Sequence, residues 1–172
     1  NNKIVAIGEI GLDYYWDENP PKEVQKEVFR SQMKLAEELE LPVVIHDRDA
    51  HQDTLEIIKE YPDVTGVVHC FSGSVEFAQE CIKLGYYIGF TGVVTFKNAK
   101  KIVQVAKEIP IDRILVETDC PYMSPEPNRG KRNRSDYIEY IINKISEIKE
   151  IEPAEANKVF NENFKRLIYK EK

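Results

Sequence analysis

The chain has 172 residues, of which 42% are hydrophobic and 10% aromatic, and this composition excludes a disordered chain and fits one domain over residues 1–172. Its apolar runs are too short to cross a bilayer and its N-terminus shows no signal pattern, so we expect a soluble, cytoplasmic protein. The formal net charge of -6 excludes an overall basic surface for nucleic acid, but it leaves room for a local basic patch.

Five short aliphatic runs predict strands, and apolar residues at a helical period predict helices in the segments between and after them. Four of the strands end in a potential ligand, and the fourth strand along the chain ends in Thr91 and Gly92 instead. The predicted strands are Lys3–Glu9, Val43–Ile45 closing on His46, Gly66–Val68 closing on His69, Tyr86–Phe90, and Ile114–Val116 leading to Asp119. The predicted helices between them run from Pro21 to about Glu40, near His51–Glu60, from the cap Ser74 to the terminating Gly85, and near Asn98–Ile109. Two more helices follow the last strand, near Asp136–Ile151 and from Pro153 to about Lys170.

The alternation of strands and helices predicts βαβ units and an α/β fold with a parallel sheet. In such folds the strands point the same way, so their carboxyl-terminal ends share one edge, which we call the rim. We therefore expect Glu9, His46, His69 and Asp119 to meet at the rim although they are far apart in sequence. A single histidine or acid at a strand end is more often structural, but four of them on separate strands favour a site.

Two imidazoles and two carboxylates are a donor set that suits a divalent metal ion. The three cysteines show no C-x-x-C spacing, which argues against a disulfide framework and a thiolate zinc site. A carboxylate such as Glu9 can bridge two ions, and a bound ion generates a nucleophile from water near neutral pH. Asp119 can act both as a ligand and as the base for that water, whereas we interpret His51, inside a predicted helix, as structural.

A basic tract follows the strand that leads to Asp119. Arg129, Lys131 and Arg132 belong to it, and because it overhangs the rim its guanidinium groups can bind phosphate, although charge runs are most often solvated loops. Arg48, two residues past His46, is a weaker candidate for the same role. The aromatic residues 14–16 either stack on bases or pack over the mouth of a barrel, and the sequence leaves this choice open.

Several segments together resemble the TatD metal-dependent deoxyribonucleases of the amidohydrolase-like superfamily. They run in order over nearly the whole chain. The matching segments are Gly8–Tyr14, Val44–Arg48, His69–Gly73, Glu117–Tyr122, Arg129–Asn133, Asn163-Phe164 and Arg166-Leu167.

The resemblance implies a TIM-type barrel with two divalent ions (Mg, Mn or Zn) that hydrolyses DNA phosphodiesters, often from the 3′ end. It implies that Glu9 bridges the ions, that His46 and His69 bind one of them, and that Asp119 is the base and a ligand near the other. It also implies that substrate phosphate, on single-stranded DNA or frayed ends, is bound by Arg48, Arg129, Lys131, Arg132 and Asn133.

Two features depart from the family pattern. Members carry a His-x-His pair on a first strand, and a complete barrel has about 250 residues and eight strands, whereas this sequence predicts five strands and no such pair. We therefore expect an incomplete barrel, which is either a fragment of a longer enzyme, the interpretation we favour, or a chain that a partner chain completes. Locally, Asn133-Arg134-Ser135 stands where relatives tend to have Asn-Glu-Pro.

Three functions remain open at this point. The sequence favours a metal-dependent DNase in which Asp119 activates water. The alternatives are an amidohydrolase that cleaves a C–N bond in a small molecule, since the same rim can polarise a carbonyl, and a non-catalytic chain that has lost one metal position.

Overall fold

A computed structural model describes residues 3–169 of the chain, and its centre is a parallel five-stranded sheet. The strands are β1 (Ile7–Asp13), β2 (Val43–Arg48), β3 (Gly66–Val68), β4 (Tyr87–Phe90) and β5 (Ile114–Val116). The helices are α1 (Lys22–Glu38), α2 (His51–Lys59), α3 (Val75–Lys83), α4 (Lys100–Glu108), α5 (Ile138–Lys149) and α6 (Pro153–Tyr169). The strands lie in sequence order with no reversal, which is the order of strands along the wall of a TIM-type barrel. The predicted incomplete barrel is confirmed.

The helices form where periodicity and capping predict them. Ser74 caps α3, because its hydroxyl accepts a hydrogen bond from the backbone N–H of Phe77 at 3.3 Å. Gly85 follows this helix at φ +89°, a backbone conformation that a side chain would strain. The last helix was expected to reach Lys170, which lies outside the described residues, and the part that is described ends at Tyr169.

The first strand differs from its prediction. It was expected to end at Glu9, but it begins at Ile7 and continues to Asp13, so that Glu9 lies inside it. In the structure Gly11 stays in the sheet at φ +134°, and a Cβ there would lie 2.0 Å from the carbonyl oxygen of His46. Its missing side chain is therefore what allows β1 and β2 to continue side by side.

The main hydrophobic core fills the space between the sheet and the helices. Large side chains that are fully buried there include Leu12, Phe29, Ile45, Ile88 and Ile114. Burial of this kind stabilises a fold by about 25 cal/mol for each Å² of apolar surface removed from water. It therefore fixes the strands firmly against the helices that follow them.

The opposite face of the sheet carries the candidate site, and we call it the site face. Away from the rim, a smaller apolar cluster covers this face, formed by Val67, Tyr87 and Leu115 with Leu167 from α6. Because side chains alternate along a strand, the residues two positions after Val67 and Leu115 lie on the same face. Those positions are His69 and Glu117, just past the ends of β3 and β5.

The edges of the sheet are β1 and β5, each of which pairs with one strand among residues 3–169. Within that part of the chain, no helix has the length and apolar character needed to cross a membrane.

Candidate metal centre

His46 and His69 reach the site face from neighbouring strands. His46 lies in β2, which was expected to end there but continues to Arg48. His69 follows β3 directly, and its backbone N–H donates a 2.9 Å hydrogen bond to the carbonyl of Ile45. This bond extends the ladder between the two strands by one step, so it sets the two imidazoles side by side.

A β-bulge in β1 brings Glu9 to the same face. Gly8 pairs with Val44 and Ile10 pairs with Ile45, so Glu9 is an extra residue without a partner on β2. In a regular strand, side chains alternate between the two faces of the sheet. Ile10 would then lie on the same face as Gly8, and Glu9 would lie on the opposite face. The extra residue lets Ile10 enter the core while Glu9 still faces the site.

The three side chains converge closely. The Oε1 atom of Glu9 lies 2.8 Å from Nδ1 of His46 and 2.8 Å from Nε2 of His69, and the two ring nitrogens are 3.4 Å apart. All three donor atoms lie within 4.8 Å of one another. Two imidazole nitrogens and a carboxylate oxygen at this spacing fit one divalent ion of the zinc, manganese or iron type. The residues present therefore fit the metal that the sequence predicts.

Asp13 holds His46 from the other side of its ring. Its Oδ2 lies 3.1 Å from Nε2 of His46, while Nδ1 of the same ring faces Glu9. When an N–H at Nε2 donates to this carboxylate, the lone pair at Nδ1 is free for an ion. Asp13 can therefore orient the His46 ring without itself contacting an ion.

Glu117 lies beside His69 on the side of the ring away from Glu9, at ion-pair distance rather than hydrogen-bond distance. Its Oε2 lies 3.7 Å from Nδ1 of His69, and its Oε1 accepts a 2.6 Å hydrogen bond from the backbone N–H of Cys70. Burial by itself lowers the pKa of His69, but the carboxylates of Glu117, Glu9 and Asp119 raise it to about 9. The centre without a metal ion therefore stabilises a positive charge, as expected for a cation site.

Gly89 makes room for Glu117. A Cβ added at Gly89 would lie 2.5 Å from Oε1 of Glu117 and 3.1 Å from the Cα atom of His69. This explains why β4 contributes no ligand to the rim. The carboxylate of Glu117 passes over β4 at a position that has no side chain.

Asp119 lies beside the close donor cluster but is not part of it within residues 3–169. It follows β5 by three residues and has a left-handed backbone, with φ +52°, and its carbonyl accepts a 2.9 Å hydrogen bond from the N–H of Tyr122. Burial raises the pKa of its carboxyl group, and the negative charges of Glu117 and Glu9 raise it further. Asp119 is therefore a better proton acceptor than a free aspartate.

A cavity of about 700 Å³ opens over this group of residues. The four residues predicted to meet at the rim all line it, together with Arg48 and the side chains of Asp13 and Trp16. The predicted residues that line the cavity are Glu9, His46, His69, Asp119 and Arg48. The rim thus brings together the charged residues that the sequence singled out.

Arg48 lies against aromatic rings at the mouth of this cavity. The central carbon of its guanidinium group is 3.9 Å from the ring centroid of Tyr15 and 5.6 Å from that of Trp16. Across residues 3–169, no carboxylate lies within 4.0 Å of this guanidinium. Its N–H groups therefore remain available to an anion.

The basic tract takes a different position. Arg129, Lys131 and Arg132 are exposed and do not line the cavity, and Arg129 stacks on the ring of Phe96 at 4.1 Å. Arg134 forms a bidentate pair with Asp136 at 2.9 and 3.0 Å. The tract is thus a charged surface beyond the cavity rather than part of its lining.

Asn133 differs from its basic neighbours because it is buried, with 3% of its surface exposed. Its Nδ2 donates to the carbonyls of Thr118 at 2.7 Å and Tyr122 at 2.6 Å, on either side of Asp119. Its Oδ1 accepts a 2.8 Å hydrogen bond from the N–H of Arg134. In this structure Asn133 braces the loop that carries Asp119, and its amide is already used.

Sequence reasoning did not assign roles to Asp13 and Glu117. Both stand within the segments that carry the family resemblance, and Glu117 is two residues before Asp119, directly after a predicted strand whose residues alternate in direction. That alternation is a signal for Glu117, since it predicts that residues 115, 117 and 119 share a face. His51, interpreted as structural, pairs with Asp47 at 2.9 Å.

The strands lie in the order of a barrel wall, and the cluster of imidazoles and carboxylates at its rim is suited to a divalent metal ion. The model of one family, described as TatD related DNase, matches residues 1–169, and the chain belongs to this family. The resemblance stated from the sequence is confirmed. Among curated relatives, the uncharacterized metal-dependent hydrolase YabD of Bacillus subtilis is 53% identical over 169 residues, and YcfH of Escherichia coli K12, which has the same description, is 41% identical over 169 residues.

Solved structures of the same family share the fold. The TatD homolog YjjV from Escherichia coli K12 superposes with a TM-score of 0.91 at 33% identity, covering 96% of this chain and 64% of that one. A TatD family hydrolase from Entamoeba histolytica gives 0.87 at 30% identity, covering 98% of this chain and 64% of that one. The alignments with YabD and YcfH cover 97% and 96% of this chain, and this chain spans 66% and 63% of the length of those two relatives.

Proposed function

We propose that this protein hydrolyses phosphodiester bonds of DNA, with divalent metal ions held at the rim. One observation carries the proposal. A carboxylate and two imidazoles, those of Glu9, His46 and His69, converge at 2.8 Å at the base of a cavity that Asp119 also lines, in a chain of the TatD related DNase family. The proposal includes action from the 3′ end of single-stranded or frayed DNA.

Glu9, His46 and His69 provide three ligands for one ion, which is the number of protein ligands in many catalytic sites. The donors that the sequence predicts for a second ion, Glu9 and Asp119, both line the cavity. A bound divalent ion supplies Lewis acidity and lowers the pKa of water, for which Mg, Mn and Zn are the candidates. We therefore expect the second position of the 172-residue chain to bind its ion more weakly than the first position.

Asp119 is the proposed base. Its carboxylate lines the cavity, and burial raises its pKa, so it accepts a proton from water more readily than an exposed aspartate. Asp13 and Glu117 keep the two imidazoles in place during this step. Asn133 keeps the Asp119 loop in place rather than contacting the substrate.

Two zones of positive charge are proposed to bind the DNA backbone. Arg48 lines the cavity and is available to a phosphate near the metal ions. Arg129, Lys131 and Arg132 are exposed further out, where they bind phosphates that are not cleaved. The protein is acidic overall, so these zones concentrate its attraction for DNA at the rim.

Cleavage of a labelled single-stranded oligonucleotide tests the proposal. The protein as the cell makes it is assayed beside the 172-residue chain, with Mg²⁺, with Mn²⁺ and with a chelator. We expect metal-dependent cleavage that Glu9→Gln abolishes, because the carboxylate that joins both histidines is lost. Glu18→Gln, an exposed acid in the loop after β1, is the control and keeps full activity. No metal-dependent cleavage by the native protein overturns the proposal.

The salt dependence of substrate binding separates this function from the hydrolysis of a C–N bond in a small neutral molecule. A phosphodiesterase loses affinity when Arg129 or Arg132 becomes Ala, and the slope of log K against log salt becomes shallower by about one per lost phosphate contact. Arg134→Ala is the matched control, because this arginine already pairs with Asp136. An amidohydrolase with a neutral substrate shows no change in KM for any of the three variants.

A further inference from the structure

Tyr15 and Trp16 expose large aromatic surfaces beside the metal centre. Tyr15 is 51% exposed and Trp16 is 53% exposed, and Trp16 lines the same cavity as His46 and Asp119. Aromatic surface in water is unfavourable, and at the mouth of a site it indicates a ligand that covers it. The sequence left open whether these rings contact bases or pack over the barrel, and their exposure favours the first.

The loop that carries the two rings is held rigidly. The N–H of Tyr15 donates to Oδ1 of Asp13 at 2.9 Å, and the N–H of Tyr14 donates to the carbonyl of Arg48 at 2.9 Å. Asn19 closes the loop, since its Nδ2 donates to the carbonyl of Asp13 at 3.0 Å and its N–H donates to the carbonyl of Trp16 at 3.2 Å. The rings are therefore placed before a ligand arrives, and binding costs little ordering of the loop.

The same hydrogen bonds connect the rings to the metal centre. Asp13 contacts His46 through Oδ2 and the backbone of Tyr15 through Oδ1. The Asp13 carboxylate thus positions both the ring of His46 and the backbone of Tyr15, which is the first residue of the aromatic pair. A ligand that lies on the rings is consequently held at a fixed position relative to the centre.

The charge next to the rings indicates what kind of ligand fits. Arg48 covers Tyr15 at 3.9 Å, and the ring of Trp16 meets that of Tyr15 at 86° with centroids 4.8 Å apart. Arg48 thus covers part of the Tyr15 ring, and Trp16, which is 53% exposed, has an indole surface open to solvent. An open aromatic surface beside an arginine that has no carboxylate partner among residues 3–169 matches a nucleotide, which offers a flat base and an anionic phosphate.

We propose that Trp16 is a stacking platform for one unpaired base of a single-stranded nucleic acid, with the adjoining phosphate on Arg48. The proposal rests on the proposed function and deepens it, because it places one base of the single-stranded or frayed substrate beside the metal centre. Base stacking is tolerant of sequence, since each base has an aromatic face. Tyr15 is a positioning residue that supports Arg48 and Trp16.

Binding of oligothymidylate without metal tests the platform in the native protein. A chelator prevents cleavage, and fluorescence anisotropy of the labelled oligonucleotide reports the dissociation constant. We expect Trp16→Ala to weaken binding roughly 10- to 100-fold and Trp16→Phe to retain most of it, because stacking on one base contributes on that scale. Tyr140→Ala, which removes an aromatic ring 38% exposed on α5, is the control and leaves binding unchanged.

An abasic oligonucleotide with the same phosphates isolates stacking from charge. We expect Trp16→Ala to bind it as the unaltered protein does, whereas Arg48→Ala weakens both oligonucleotides. Equal binding of oligothymidylate by Trp16→Ala and the unaltered protein overturns the platform. So does an equal loss for both oligonucleotides in Trp16→Ala, because Trp16 then serves only to hold Arg48 or to cover another part of the protein.

The two proposals fail in different ways. If the protein binds oligothymidylate through Trp16 but cleaves no DNA with any metal, the proposal of a stacking platform stands and the proposal of a nuclease is overturned. If Trp16→Ala and the unaltered protein both cleave DNA with the same KM, the proposal of a nuclease stands and the proposal of a stacking platform is overturned.

Discussion

Oδ2 of Asp13 lies 3.1 Å from Nε2 of His46, at the end of the longest strand in the sheet. The opposite nitrogen of the ring faces Glu9, so the imidazole lies between the carboxylates of Asp13 and Glu9. This arrangement depends on the continuation of β1 past Glu9, because a strand that ended there would not carry Asp13 to the rim. The length of β1 is thus part of the metal centre.

Removal of the Asp13 carboxylate is expected to weaken metal binding while leaving the ligands present. Asp13→Ala frees the His46 ring to rotate and to change tautomer, and the loss of such an orienting partner lowers metal affinity about 10- to 100-fold. Titration with Mn²⁺ by isothermal calorimetry measures the change. Asp17→Ala, an exposed acid four residues further on, is the control. Equal affinity in Asp13→Ala and the unaltered protein shows that His46 is held by other contacts.

Gly89→Ala is expected to disturb the centre from the neighbouring strand. The new Cβ would lie 2.5 Å from Oε1 of Glu117, the end of a flexible side chain, and 3.1 Å from the Cα atom of His69, so Glu117 moves away and the backbone at His69 shifts by a few tenths of an ångström. The displaced carboxylate loses its 2.6 Å hydrogen bond from Cys70 and its contact with His69. We expect a folded protein with lower metal affinity, measured by circular dichroism and calorimetry. Unchanged affinity contradicts a role for Glu117 in placing His69.

Metal binding is expected to release a proton from His69. Burial by itself lowers the pKa of this imidazole, but the carboxylates of Glu117, Glu9 and Asp119 raise it from 6.5 to about 9, so the ring is protonated at neutral pH when no ion is bound. An ion must displace that proton, and its apparent affinity therefore rises about tenfold for each pH unit until the pH reaches the pKa. Above that pH the dependence disappears.

Calorimetry in buffers with different ionisation enthalpies counts the protons released by the ion. We expect about one proton near pH 7 and a smaller number in Glu117→Gln, because loss of that charge lowers the pKa of His69. Binding at pH 7 without proton release contradicts a protonated His69.

The existence of the strands and the meeting of the site residues at one edge could be predicted because the signals are local. Runs such as Val43–Ile45 and Ile114–Val116 identify buried parallel strands, and the shared direction of those strands brings His46, His69 and Asp119 to one edge. No long-range information is needed for this step. The sheet order then follows from the chain order, as the structure shows.

The remaining features depend on contacts between strands. The bulge at Glu9 is defined by the register with β2, and the need for Gly89 appears only when Glu117 is placed above it. Asp13 was not assigned because β1 was expected to end at Glu9. Sequence patterns describe which face a residue takes within its own strand, but register and close approach are set by the neighbouring strand.

Asn133 is a loop residue whose contacts could not be predicted from the sequence pattern either. Its position in the structure leads to a prediction about stability. The sequence grouped it with the substrate-binding residues Arg129–Asn133, whereas the structure buries it under the Asp119 loop, where Nδ2 donates to Thr118 and Tyr122. Asn133→Ala leaves two carbonyls in that loop without this donor, and an unsatisfied buried group costs about 1–3 kcal/mol. We expect the free energy of unfolding, from urea denaturation, to fall by about 2 kcal/mol. Asn161→Ala, on the exposed side of α6, is the control and changes it by less than about 0.5 kcal/mol. Equal stability of the two variants shows that Asn133 does not brace the loop, and its amide is then available to a substrate.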